Sequence, residues 1–170
     1  MTLNDGKHQE VFSPEFDDID RKYMKLALKW AKRAQDQGEI PIGAVLVGPN
    51  REFISHGTNI RELKQTVLGH AELLALHRAN LKNKSWRLIN CTLYVTLEPC
   101  FMCAGALVQS RIGRVVYAAD DPKGGALGTL ADLSKDHRLN HRFKTESGLF
   151  AEESSLLLKN FFKMKRLKKD

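Results

Sequence analysis

The sequence predicts an α/β protein: a three-layer α/β/α sandwich on a five-stranded mixed sheet, with an antiparallel hairpin first and parallel strands after it. Short apolar runs of strand type alternate along the chain with segments of helical periodicity. The later strands are separated by helices long enough to cross back over a sheet, which makes them parallel. The 170 residues, 42% hydrophobic and 28% charged, suit one domain with a two-sided core.

The first helix runs from about Asp18 to Gln37, because Ile19, Tyr23, Leu26, Ala27, Trp30, Ala31 and Ala34 recur on one face and Gly38 stops it. Ile42 to Val47 is an apolar run and Phe53 to Gly57 an alternating one, and Gly48-Pro49-Asn50 between them makes the pair a β-hairpin. Helix returns near His70 to Asn80. A strand follows at Thr92 to Leu97, then a helix opening at Pro99 and running to about Arg111, then a strand at Arg114 to Ala119. The remainder reads as a short helix around Leu127 to Leu133, a weak strand at Arg142 to Glu146 and a terminal helix from about Leu149 to Arg166. The glycines of Lys123 to Gly128 lack the order of either nucleotide-binding loop, so they read as a tight turn into that short helix. Residues 17–167 are expected to form one domain, between a flexible acidic leader at 1–16 and a basic end at 168–170.

No stretch approaches the roughly 20 apolar residues of a membrane helix, and the polar N-terminus has no secretory pattern, so a cytoplasmic protein with no membrane partner is expected. The net charge of +7 is uneven. Asp5, Glu10, Glu15, Asp17, Asp18 and Asp20 face only Lys7, leaving +12 on the rest of the chain. Near the other end Lys159, Lys163, Lys165, Arg166, Lys168 and Lys169 face only Asp170, a surface that fits a polyanion as well as it fits a solvated helix end. The terminal helix should dock through Leu156, Leu157, Phe161 and Met164, with its cationic second half projecting towards phosphates.

The cysteines at 91, 100 and 103 cannot all pair, so metal or redox chemistry is the better expectation. His70-Ala71-Glu72 and Pro99-Cys100-Phe101-Met102-Cys103 are each weak alone, but each begins a helix that follows a β element. Together they supply one imidazole and two thiolates, a set suited to zinc. Cys100 and Cys103 fall one turn apart on one helix face. Pro99 fits the first turn, and the positive end of the helix favours thiolate. His70 and Glu72 would point about 200° apart in a regular helix, so they can serve one centre only from a frayed first turn. Two helix N-termini should therefore meet at one pocket. Three ligands leave a position open for water, as in catalytic rather than structural zinc sites. Cys91, a strand's length from Cys100, is a poor fourth ligand and reads as a buried hydrophobe. Glu72 beside such a metal can take and return a proton.

His70-x-Glu72 with Pro99-Cys100-x-x-Cys103 resembles the zinc-dependent cytidine deaminase-like superfamily. Ile40 to Val45, Leu97 to Ala106, Ser110-Arg111-Ile112, Leu139 to Arg142 and Phe161 to Arg166 resemble, more narrowly, the bacterial tRNA-specific adenosine-34 deaminases, over about residues 20–167. Thr66-Val67-Leu68-Gly69 departs from a loop that some members share. The resemblance implies a cytidine deaminase-like fold and a homodimer that binds a tRNA anticodon stem-loop and converts its wobble adenosine to inosine. It further implies one Zn2+ per chain on His70, Cys100 and Cys103, proton transfer by Glu72, and a flipped nucleoside held by Asn59. Asn140, Phe162, Lys165 and Arg166 are its candidate RNA contacts. From the residues alone, a deaminase of a free base or a structural zinc module that binds nucleic acid would carry the same ligands.

Overall fold

The computed structural model describes residues 15–167, so the expectations for residues 1–14 and 168–170 lie outside the described residues. Helix α1 (Asp18–Asp36) begins at a reciprocal cap. Asp17 Oδ1 accepts from the Ile19 and Asp20 N–H groups at 2.9 and 2.8 Å, and the Asp20 carboxylate accepts from the Asp17 N–H at 3.3 Å. Gly38, at φ +78°, ends it as expected.

Strand β1 (Gly43–Val47) pairs antiparallel with β2 (Phe53–Thr58), and on its other side antiparallel with β3 (Thr92–Leu97). Strands β4 (Arg114–Ala119) and β5 (Lys144–Ser147) continue the sheet in parallel, giving the order β2-β1-β3-β4-β5. The five-stranded mixed sheet is the one expected. Alternate residues divide between two cores. Ala44, Leu46, Leu93, Val95, Val115 and Tyr117 face α3 (Ala71–Asn83) and α4 (Phe101–Gln109), whereas Val45, Val47, Tyr94, Val116 and Ala118 pack with Tyr23, Met24 and Ala27 of α1.

Three local expectations are corrected. A short helix α2 (Arg61–Lys64) was not expected; it buries no residue and so left no apolar period to read. No helix forms over 127–133, where Leu127 and Asp132 make an isolated bridge within turns. The N–H groups of Asp121, Leu127 and Thr129 all donate to the buried Glu98 carboxylate at 3.0 Å, which holds the loop in a non-helical path. The terminal helix α5 (Ala151–Leu167) forms, but Leu156 and Met164 are exposed. Its inward stripe is Ser154, Leu157, Leu158 and Phe161, phased by a polar residue whose hydroxyl donates to the Thr96 carbonyl at 2.5 Å.

Candidate active site

The site lies at the edge of the sheet where β3 ends. Because β1 runs against β3, the start of β1 and the end of β2 reach that edge too, and the Gly43 N–H donates to Thr96 Oγ1 at 3.1 Å. Residues before β1, after β2 and after β3 are thereby gathered around the first turn of α3.

His70 is the N-cap of α3, with extended backbone at φ −79° and ψ 142°, and this resolves the angular conflict with Glu72. Only Glu72 obeys the helical angle, so both side chains can turn inward. The Gly69 carbonyl is tied to the Ile60 N–H at 2.9 Å. Gly57 lets β2 and α3 close up, since a Cβ there would stand 1.8 Å from the Ala71 carbonyl oxygen.

Cys100 is the N-cap of α4 and Cys103 lies in its first turn, so the helix starts two residues beyond Pro99, and not with Pro99 inside it; it ends at Gln109. Nδ1 of His70 stands 3.7 Å from Cys100 Sγ and 3.5 Å from Cys103 Sγ, and the three ligand atoms lie within 4.8 Å of one another. With metal bonds of about 2.05 Å to nitrogen and 2.3 Å to sulfur, a tetrahedral zinc site has N···S edges of about 3.6 Å, so the cluster fits that ion. Cys91 is buried in the core beside Leu93 and is not part of this cluster.

Contact with Cys103, and secondly with His70, holds the Cys100 thiol down at about 4 against the effect of its burial. Contact with Cys100, together with burial, pushes the Cys103 thiol up. His70 is raised by its contact with Cys100. Glu72 is almost fully buried, and desolvation pushes its carboxyl up to about 7 against the pull of His70. A buried acid, an imidazole and two sulfurs thus converge at one place.

Asn59 is also at this edge: its N–H donates to the Ile42 carbonyl at 3.1 Å and its side-chain Nδ2 to the Ile40 carbonyl at 3.3 Å. Ile40, Leu97, Asp121, Lys123, Phe162 and Arg166 line an adjoining cleft of about 730 Å³ between α5 and the loop after β4. Lys165 does not line it; its ammonium lies 5.4 Å from the Phe161 ring centroid. Asn140 is not brought to the cluster. Its Oδ1 accepts from Arg111 at 2.6 Å, beyond the far end of α4, about 13 Å along that helix from Cys100. Two buried acids here escaped the sequence reading, Glu39 and Glu98. Glu98 stands beside the Pro99-Cys100 motif, and a Cβ on Gly125 would come 2.1 Å from its Oε2; only its place at the end of an apolar strand hinted at burial.

The MafB19-like deaminase model matches residues 18–166. The chain belongs to that deaminase family. This deaminase is 50% identical over 150 residues to the tRNA-specific adenosine deaminase of Bacillus subtilis, covering 88% of this chain and 92% of that one. It is 44% identical over 152 residues to the tRNA-specific adenosine deaminase of Haemophilus influenzae, covering 89% and 88%. A structure solved in work on A-to-I editing by tRNA:A34 deaminases at the wobble position superposes with TM-score 0.77 and 39% identity, covering 81% of this chain and 99% of that one. A guanine deaminase from Nitrosomonas europaea, 23% identical with TM-score 0.70 over 83% of both chains, shares the fold.

Proposed function

We propose that this deaminase converts the wobble adenosine of a tRNA anticodon to inosine by zinc-dependent hydrolysis, releasing ammonia. The observation that carries the reading is a His/Cys/Cys cluster of zinc dimensions with a buried acid beside it, in a chain half identical to a tRNA-specific adenosine deaminase. His70, Cys100 and Cys103 would hold one zinc per chain, which when bound supplies Lewis-acid activation of the attacking water. Glu72 takes a proton from that water and delivers it to the adenine ring nitrogen as the new bond forms at C6. The proton lost by the oxygen then leaves with the amine, so one water is consumed and one ammonia released. Asn59 would hold the flipped nucleoside. Phe162 and Arg166, in the adjoining cleft, would receive a neighbouring base and its phosphate, with Lys165 outside the cleft on the RNA backbone.

The same reading places the protein in the cytoplasm with tRNA, and no helix among the described residues is long and apolar enough to cross a membrane. It also includes a homodimer. Phe101, Met102 and Trp86 stand exposed on the α3–α4 layer beside a groove lined by Leu73, Leu76 and Ala106, an apolar face suited to a second copy. Asn140, out of reach of its own chain's cluster, would then serve RNA held by the other protomer.

The test is to incubate the protein and its Glu72→Ala variant with an anticodon stem-loop and with free adenine, guanine and cytosine, following products and bound metal. Inosine in the stem-loop from the wild type is expected. The variant should keep its zinc while single-turnover rates fall by about 10² or more. Deamination of free bases alone would overturn the substrate, and loss of zinc with Glu72 would make it a ligand.

A further inference from the structure

Glu39 follows the glycine that ends α1 and is a carboxylate with 1% of its surface exposed, yet no lysine or arginine among the described residues pairs with it. A buried charge without a counter-ion is costly unless hydrogen bonds satisfy it. Its Oε1 accepts from the Leu63 N–H and its Oε2 from Asn59 Nδ2, the latter at 3.5 Å. Asn59 Nδ2 therefore lies between two oxygens that can only accept, Glu39 Oε2 and the Ile40 carbonyl. Its Oδ1 is turned the other way, accepting from the Arg61 N–H at 3.3 Å with a second lone pair left over.

We propose that Glu39 is a positioning residue for deamination: it fixes which end of the Asn59 amide meets the nucleoside, presenting Oδ1 to a hydroxyl or amine donor. The proposal rests on Asn59 as a substrate contact. A carboxylate can face only the NH2 end of an amide, so rotating Asn59 by half a turn would set oxygen against oxygen. Holding the Leu63 N–H alone needs no charge, because a glutamine oxygen would accept it equally well. The second oxygen and its charge are accounted for by the orientation of Asn59.

The experiment is a double-mutant cycle on the zinc-loaded enzyme with an anticodon stem-loop as substrate. Glu39→Gln keeps the shape and the bond to Leu63 but turns an NH2 group towards Asn59. Its kcat/KM should fall about tenfold or more with unchanged zinc content and unfolding temperature. In an Asn59→Ala background the same change should alter kcat/KM by less than about twofold. A Glu39→Gln enzyme with wild-type kinetics, or equal losses in both backgrounds, would make Glu39 a structural acid only. Should Asn59→Ala be as active as wild type, Asn59 touches no substrate and the positioning role falls with it, whereas a wild type inert on RNA would defeat the functional reading instead. The orientation is checked without any variant by NMR of asparagine-labelled protein: the Asn59 Nδ2 protons should exchange slowly with water, and exchange as fast as in a free asparagine would overturn the proposal.

Discussion

Cys91 and Cys103 have similar burial and opposite surroundings. Cys91 sits among Leu88, Leu93 and Ile112, and burial pushes its thiol up, whereas Cys103 faces His70 and Cys100. Cys91→Ser should therefore keep one zinc per chain and most of the activity, at a stability cost of about 1–2 kcal/mol for an unpartnered hydroxyl. Metal analysis and urea unfolding check it; lost zinc would point to a closed four-ligand site. The cluster of His70, Cys100 and Cys103 was legible because thiols and an imidazole are scarce and two short motifs brought them to helix starts. Glu39 was not legible, since an acid after a glycine stop looks like any solvated turn and its partners lie 20 and 24 positions away.

Close contact between β2 and α3 sets the depth of His70. Gly57→Ala would drive a methyl into the Ala71 carbonyl, so the helix start must retreat. The expected result is a loss of about 1–3 kcal/mol in stability with weaker zinc retention under a chelator; intact metal affinity would show that the ligands do not depend on this approach. At the other side, α5 brings Phe162 and Arg166 into the cleft while Lys165 stays outside. Deleting residues 165–170 should leave zinc content unchanged and weaken RNA binding mainly through affinity. For every phosphate that the shortened chain no longer neutralises, the slope of log affinity against log salt should flatten by about 0.7–0.9, and one to three such phosphates are expected. An unchanged salt slope would mark the segment as a solvated end. The helix was legible, but its phase was not. Ser154 breaks the apolar period, and only the Thr96 carbonyl beneath it explains why that face turns inward.

Far from the cluster, Asp20 of α1 joins three strands. Arg114 donates to its two oxygens at 2.6 and 3.1 Å and to Glu146 of β5 at 2.5 Å, and the Tyr94 hydroxyl of β3 donates to it at 2.7 Å. Burial pushes the Asp20 carboxyl up, but the bonds from Arg114 and Tyr94 prevail and hold it below its ordinary 3.8. A depressed carboxylate contributes stability above its unfolded pKa, and that contribution is lost as the pH falls through the folded value, here below about 4. Asp20→Asn should therefore cost about 2 kcal/mol near neutrality, with the gap to wild type closing as the pH drops below that window. Urea unfolding at several pH values measures both, and a gap independent of pH would deny the linkage. The layers, the strand directions, the His/Cys/Cys cluster and the acid beside it could all be read from the chain, because periodicity, glycine stops and scarce side chains act over a few residues. Tertiary structure alone decided the loop at 121–129, the inward face of α5, the distance of Asn140 from the cluster and the coupling of Glu39 to Asn59. Each of these rests on a hydrogen bond or a contact between segments distant in sequence, and such partners leave no local pattern in the chain.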